Sequence, residues 1–256
     1  MAILQVEKLS KVFGGLRAVS DVNIKIEKGE LVGLIGPNGA GKTTIFNLLT
    51  GVIPPTTGTI VFNDKNIVGL KPYQVTSAGI ARTFQNIRLF KELSVLDNVR
   101  IAYHHRVKYG LFESMFFRFG RFLQEETKMT AEALQFLDIF GLKHLWNELA
   151  QNLPYGMQRR LEIARALATG PKLLLLDEPA AGMNPQETKE LMELIDFIRR
   201  KFDLTILLIE HDMSLVMGIC ERIYVLDYGQ LIAEGVPAEI KANKRVIEAY
   251  LGEEVS

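Results

Sequence analysis

The stretch Gly36-Pro-Asn-Gly-Ala-Gly-Lys-Thr-Thr44 constrains this chain more than any other, because it satisfies in full the G-x-x-x-x-G-K-[ST] pattern of a nucleotide-phosphate loop. Gly36, Gly39 and Gly41 carry no Cβ, so the backbone through Pro37, Asn38 and Ala40 can turn with positive φ and bring several N–H groups to the oxygens of a polyphosphate. Lys42 adds a point charge for the outer phosphates. Thr43 offers a hydroxyl to Mg²⁺, and the residues from Lys42 through Thr44 to Leu49 read as a helix whose N-terminal dipole faces the anion. The fixed positions fall into place by accident in roughly one chain in a hundred of this length. Context argues further against accident, because the apolar run Glu30-Leu-Val-Gly-Leu-Ile35 supplies strand, loop and helix in the required order.

A chain of 256 residues that is 48% hydrophobic can bury one large core or two modest lobes. Lys plus Arg and Asp plus Glu both number 30. That balance argues against a dedicated nucleic-acid partner, and none is expected. Cys220 is the only cysteine; it excludes an intrachain disulfide, fits a reducing compartment, and sits in a stretch that reads as a buried helix position. No apolar run reaches the ~18 residues of a membrane span and no signal core opens the chain, so a soluble cytoplasmic protein is expected.

From Ile3 to Glu27 apolar residues alternate about a Gly14-Gly15 turn, which predicts antiparallel strands. Phe13 lies in the loop between them, where an aromatic ring either stacks on a purine or packs in the core. Thr59 to Phe62 and Gly79 to Phe84 read as strands, the second ending in Gln85, and from Ile87 to about Leu161 the texture turns helical. Within that lobe Phe112, Phe116, Phe119 and Leu123 recur at helical spacing, as a core stripe or a membrane-touching one. Leu153 to Leu167 reads as a turn entering a helix opened by Pro154. Lys172-Leu-Leu-Leu-Leu-Asp-Glu178 is a continuous apolar run ending in two acids, the pattern of a parallel strand covered on both faces, where a Mg²⁺-holding acid belongs. Asn184-Pro-Gln-Glu187 caps a helix, and Leu204 to Ile209 is another buried strand. His211 follows that strand, at the end of an open α/β sheet where ligands bind. Arg222 to Gly235 reads as a strand pair, and a helical tail ends near Leu251.

Taken together these residues resemble the ATP-binding subunit of ABC transporters, from about Leu4 to the end of the chain. Gly36 to Thr44 matches the Walker A loop, Gln85 the Q-loop glutamine, Leu153 to Met157 the signature motif, Leu173 to Glu178 the Walker B strand with its glutamate, and His211 the switch histidine. The resemblance implies an α/β fold with a P-loop NTPase core of mostly parallel sheet, an antiparallel β subdomain and an inserted helical lobe. One domain would span residues 1–256, with residues 1–86 and 162–256 as nucleotide-binding core and 87–161 as the lobe. ATP and Mg²⁺ would be the cofactors of a Mg-dependent ATPase. Asp177, Thr43 and Gln85 would serve the metal, Glu178 would polarise water, His211 would contact the γ-phosphate, and Phe13 would stack on adenine. Leu153, Gly156 and Met157 would meet nucleotide held by a second subunit. The signature departs from the usual Leu-Ser-Gly-Gly-Gln, with Pro154 at the serine and Tyr155 at the first glycine. A serine hydroxyl donor is thereby absent while the helix N-terminus stays.

Phe13-Gly-Gly-Leu-Arg-Ala-Val19, Arg82-Thr-Phe-Gln-Asn-Ile-Arg-Leu-Phe90, Asp177-Glu-Pro-Ala-Ala-Gly-Met-Asn-Pro185 and Glu210-His-Asp-Met213 are similar to the LivG-type ATPases of branched-chain amino-acid importers. ATPases for urea or amide uptake and for lipopolysaccharide export share much of this. The resemblance implies a second ABC ATPase subunit, identical or related, two membrane permeases and, indirectly, an extracytoplasmic substrate-binding protein as partners, with the chain peripheral on the inner membrane face. A soluble ABC ATPase acting on nucleic acid is the competing class; it usually carries paired cassettes or a long coiled coil, and no sustained heptads occur here. A nucleotide-binding regulator without turnover is disfavoured by Glu178 and His211. The apolar run Ile87, Leu89, Phe90, Leu93, Val95 and Leu96 after Gln85 is expected to form a docking groove for a permease helix.

Overall fold

A computed structural model describes residues 1–104 and 119–251. Strands β1 (Ala2–Phe13) and β2 (Leu16–Glu27) pair antiparallel, Phe13 facing Leu16 across the glycine turn. Their buried residues alternate with exposed ones, as a one-sided sheet requires. With β4 (Thr57–Phe62) and β5 (Lys65–Asn66) they form a four-stranded sheet in the order β2-β1-β4-β5.

The second sheet uses β3 (Leu31–Ile35), β6 (Ile80–Arg82), β7 (Leu173–Asp177), β8 (Thr205–Ile209), β9 (Arg222–Asp227) and β10 (Gln230–Gly235) in the order β10-β9-β3-β8-β7-β6. All of these except β10 run parallel to their neighbours. Every residue of β3, β7 and β8 is buried, which explains their unbroken apolar runs. Helix α1 (Lys42–Leu49) follows β3, and α2 (Pro72–Ala78) precedes β6. The second sheet divides two cores. Its Leu34, Leu175 and Leu207 face α1 and the antiparallel sheet, while its Leu174, Leu176 and Leu208 face the helical side.

The lobe contains α3 (Val95–His104), α4 (Phe119–Ile139) and α5 (Tyr155–Ala168). Helical texture was expected from Ile87, but residues 87–94 form no helix, because the N-terminal cap lies at Ser94, whose Oγ accepts the Asp97 N–H. The strand expected to run to Phe84 ends at Arg82, and the expected lobe boundary at residues 161 and 162 falls inside α5, which runs unbroken. The side chains of the Phe112 to Leu123 stripe lie outside the described residues. Helix α6 (Pro185–Lys201) starts at a capping box in which Asn184 accepts from the Glu187 N–H, and α7 (Met213–Ile219) starts at Asp212. Cys220 is buried just past the end of α7, and burial pushes its thiol up to about 12. Helices α8 (Pro237–Ala242) and α9 (Lys244–Leu251) close the chain against the β9–β10 hairpin. Among the described residues no helix is long and apolar enough to cross a membrane.

Candidate functional site

The phosphate loop leaves the buried end of β3 and enters α1 at Gly41, whose φ is 104°. Two glycines there are obligatory on steric grounds. Gly36 has φ 149°, and a Cβ on it would lie 1.9 Å from the Leu226 carbonyl oxygen; one on Gly41 would lie 2.6 Å from that of Ala18. Lys42 is buried and donates from Nζ to the carbonyls of Gly36 at 2.5 Å and Pro37 at 2.8 Å, closing the loop into a ring. The N-terminus of α1 has no side-chain cap and no acid in its first turn, so its N–H groups and dipole remain available to an anion.

The chain places Glu178 opposite this loop. Strand β7 ends at Asp177, and Glu178 turns out of it with φ 48°, a left-handed conformation that costs a non-glycine residue about 1–2 kcal/mol. Its N–H donates to the Ile209 carbonyl at 2.9 Å, which ties it to the end of β8. One carboxylate oxygen lies 2.5 Å from His211 Nε2, and the other accepts from Gln85 Nε2 at 2.7 Å. Asn38, Gly39, Ala40, Gly41, Lys42, Thr43, Thr44, Gln85, Glu178 and His211 line one cavity of about 270 Å³. Residues separated by up to 173 positions (211 − 38) thus converge on one space with an uncapped helix end, a buried cation and a carboxylate. That set can bind an oxyanion chain and hold a proton acceptor beside it.

Other expected residues stand elsewhere. Asp177 is buried outside this cavity, its carboxylate paired with Arg82 Nη2 at 2.7 Å. Phe13 is not core but 45% exposed at the hairpin end, with Lys11 Nζ 5.0 Å from its ring centre, and it does not line the cavity. Leu153 is buried in the lobe and Met157 packs against the same core. Gly156 lies in the first turn of α5; a Cβ there would meet only ordinary contacts, Glu187 Oε1 at 3.4 Å the nearest. Among the described residues nothing requires a glycine there, although glycine in a helix costs about 0.5–1 kcal/mol relative to alanine.

Sequence reasoning passed over three side chains that hold this site. Arg82 bridges Asp177 to Asn47 Oδ1 of α1 at 2.7 Å, joining the phosphate-loop helix to β7. Glu210 accepts from the Ala180 N–H at 2.8 Å and from the His211 N–H at 3.2 Å, and burial raises its carboxyl above the ordinary range. Arg159 of α5 donates to the Gln85 carbonyl at 2.7 Å. No local pattern marks them as buried, since Arg159 and its partner Glu162 stand in a stretch that also holds Arg160 and Arg165.

This fold and this set of residues define an ABC-type ATPase. A family model described as ABC transporter matches residues 19–181, and the chain belongs to that family as an ATP-hydrolysing subunit. A second model, Branched-chain amino acid ATP-binding cassette transporter, matches residues 230–256. The chain is 50% identical to the high-affinity branched-chain amino acid transport ATP-binding protein LivG of Escherichia coli K12, over 98% of each chain. It is 46% identical, again over 98% of each, to the corresponding protein BraF of Pseudomonas aeruginosa. Among solved structures, the ADP conformation of MJ1267, an ATP-binding cassette of an ABC transporter, superposes with TM-score 0.85 at 33% identity, covering 98% of this chain and 99% of that one.

Proposed function

We propose that this chain is the ATPase subunit of an importer of branched-chain or other hydrophobic amino acids. The observation that carries the catalytic part is Glu178, held between Gln85 and His211 at the mouth of the phosphate-loop cavity. The loop amides and Lys42 hold the phosphates of ATP, Glu178 accepts the proton of the attacking water, and His211 orients the outer phosphate. Among the described residues no group of three or more His, Cys, Asp or Glu side chains forms a metal cage. Mg²⁺ keeps several waters and needs only one or two protein groups besides the phosphates; Thr43 and Gln85, which line the cavity, would hold it, and Asp177, paired with Arg82 outside the cavity, would serve it indirectly. When bound, the ion neutralises charge on the phosphate oxygens. Phe13 stacks on the adenine.

Two copies, or this chain and a related one, enclose each ATP between the phosphate loop of one and Gly156 with its neighbours of the other. The uncapped N-terminus of α5, with no acid in its first turn, supports this reading. The dimer sits on the inner face of a membrane against two permeases. Phe84, Leu89, Phe90, Ile101 and Ala102 line a groove of about 720 Å³ together with Arg88 and Arg165. Phe90 is 48% exposed there, whereas Val95 and Leu96 belong to the lobe core. A short permease helix laid in this groove would move with Gln85.

The test is uptake by vesicles containing the assembled transporter. ATP-driven leucine uptake, lost on Phe90→Glu while the free subunit's ATPase stays at the parent rate, is the expected result. Uptake of an amide, or export of a lipid, would assign the chain to a related system, and equal loss of free-subunit ATPase would return Phe90 to the lobe core.

A further inference from the structure

Arg159 is fully buried, and its partner three residues on, Glu162, is 1% exposed, with 2.7 Å between Arg159 Nη1 and a Glu162 carboxylate oxygen. Desolvating two charges costs several kcal/mol per ion, and apolar residues of the same volume often serve stability equally well. What the pair grips is therefore informative. Arg159 Nη1 also donates to the Phe84 carbonyl at 2.6 Å, and Nη2 donates to that of Gln85 at 2.7 Å. Glu162 accepts from the N–H groups of Phe84 at 3.4 Å and Arg88 at 3.2 Å. This segment belongs to no helix or strand. The ion pair thus stands in for the ladder that regular structure would otherwise give it.

The same guanidinium reaches the signature end of its own helix, where Nη2 lies 3.4 Å from the Tyr155 hydroxyl. Tyr155 stands beside the loop after Glu178, since a Cβ on Gly182 would meet Tyr155 Cε1 at 3.4 Å. In the other direction, the Gln85 side chain donates to Glu178. One buried fork therefore joins the helix end that faces a second subunit's nucleotide to the side chain that orients the catalytic carboxylate.

We propose that Arg159 and Glu162 are positioning residues that make the N-terminus of α5 and Gln85 one rigid body, linking a chain's two half-sites. This rests on the sandwich of ATP between two subunits proposed above. Seating of the partner's nucleotide on α5 shifts Gln85 against Glu178 of the same chain. Lysine cannot replace Arg159, because a single ammonium lacks the planar fork that serves two carbonyls and a carboxylate together.

The experiment is a double-mutant cycle on the full chain, with nucleotide affinity, kcat and the Hill coefficient for ATP measured throughout. Arg159→Met/Glu162→Met removes both charges together, so neither is left buried without its ion partner, and it releases the Phe84 and Gln85 carbonyls and the Phe84 and Arg88 N–H groups from the clamp. It should bind nucleotide within about twofold of the parent, lose about tenfold or more in kcat and lose cooperativity in ATP. Because the clamp acts through Gln85, the same pair of substitutions in a Gln85→Ala background should cost less than about twofold further. An equal tenfold loss in both backgrounds, or an unchanged kcat in the folded double variant, overturns the proposal. If that variant does not fold, Tyr155→Phe and Glu162→Gln, which delete less, should still lower the Hill coefficient at unchanged nucleotide affinity; an unchanged coefficient counts against the clamp. A parent enzyme with a Hill coefficient of one and no concentration dependence would instead refute the sandwich itself.

Discussion

Glu178 and Gly156 each stand just inside the first turn beyond a boundary of regular structure, but the chain treats them differently. Glu178 is held from three sides, by the β8 carbonyl, His211 and Gln85, in a backbone conformation that a glutamate adopts only under constraint. Gly156 has no contact among the described residues that needs a glycine, in a helix where alanine would serve better. The phosphate-loop face is preorganised within one chain. The signature face carries a helix glycine whose cost has no return among the described residues, which is what the proposed sandwich of ATP between two subunits would explain.

The largest effect should come from the preorganised face. Glu178→Gln keeps the shape and both hydrogen-bonding partners but removes the proton-accepting charge, so ATP turnover should fall by about 100-fold or more with ATP binding retained. Turnover and nucleotide affinity measured on the purified variant check this; hydrolysis at the parent rate would remove Glu178 from the chemistry. Loss of Lys42 should do the opposite and weaken binding, because this side chain closes the phosphate loop.

Gly156→Ala sharpens the contrast. The added methyl meets only ordinary contacts within its own chain, so the folded protein should gain about 0.5 kcal/mol in chemical denaturation. ATPase activity should nevertheless fall, because the methyl intrudes where the partner's nucleotide would sit. A variant that is more stable and equally active would make Gly156 an ordinary helix residue.

The smallest effect concerns Glu210, which lies behind the preorganised face. Its folded-state carboxyl is raised above the ordinary value of 4.5, so the folded chain holds that proton to higher pH than the unfolded chain does. The resulting stabilisation is complete below 4.5 and is lost as pH rises through the raised value, by about 1.4 kcal/mol for each unit of separation. Glu210→Gln does not titrate. The stability of the parent relative to this variant should therefore decline from pH 4.5 upward, and a difference that does not vary with pH would place the carboxyl in its ordinary range.

The same contrast explains what could be read in the sequence. Gly36 to Thr44, the run into Asp177 and Glu178, and the run into His211 were legible because a buried parallel strand followed by a chemically loaded turn has a local pattern. The capping box at Asn184 and the hairpin at Gly14-Gly15 were legible for the same reason. Arg82, Arg159, Glu162 and Glu210 were not, since a charge on a helix or at a strand end reads as solvated until the partner that buries it is known. Glu162 meets its backbone donors 74 and 78 positions away, and no local period carries that information. Helical texture was read from Ile87 because of the apolar residues there, whereas the first helix of the lobe begins at Val95. The apolar run after Gln85 was also read as a docking groove, and nothing in its pattern marked Val95 and Leu96 as lobe core instead.

The claim that one chain carries two complementary halves is tested most directly by ATPase activity per chain across a wide dilution series of the purified parent protein. If each ATP needs two subunits, specific activity should rise with concentration toward a plateau, following mass action. A constant specific activity from a protein that sediments as a monomer throughout the series would contradict it.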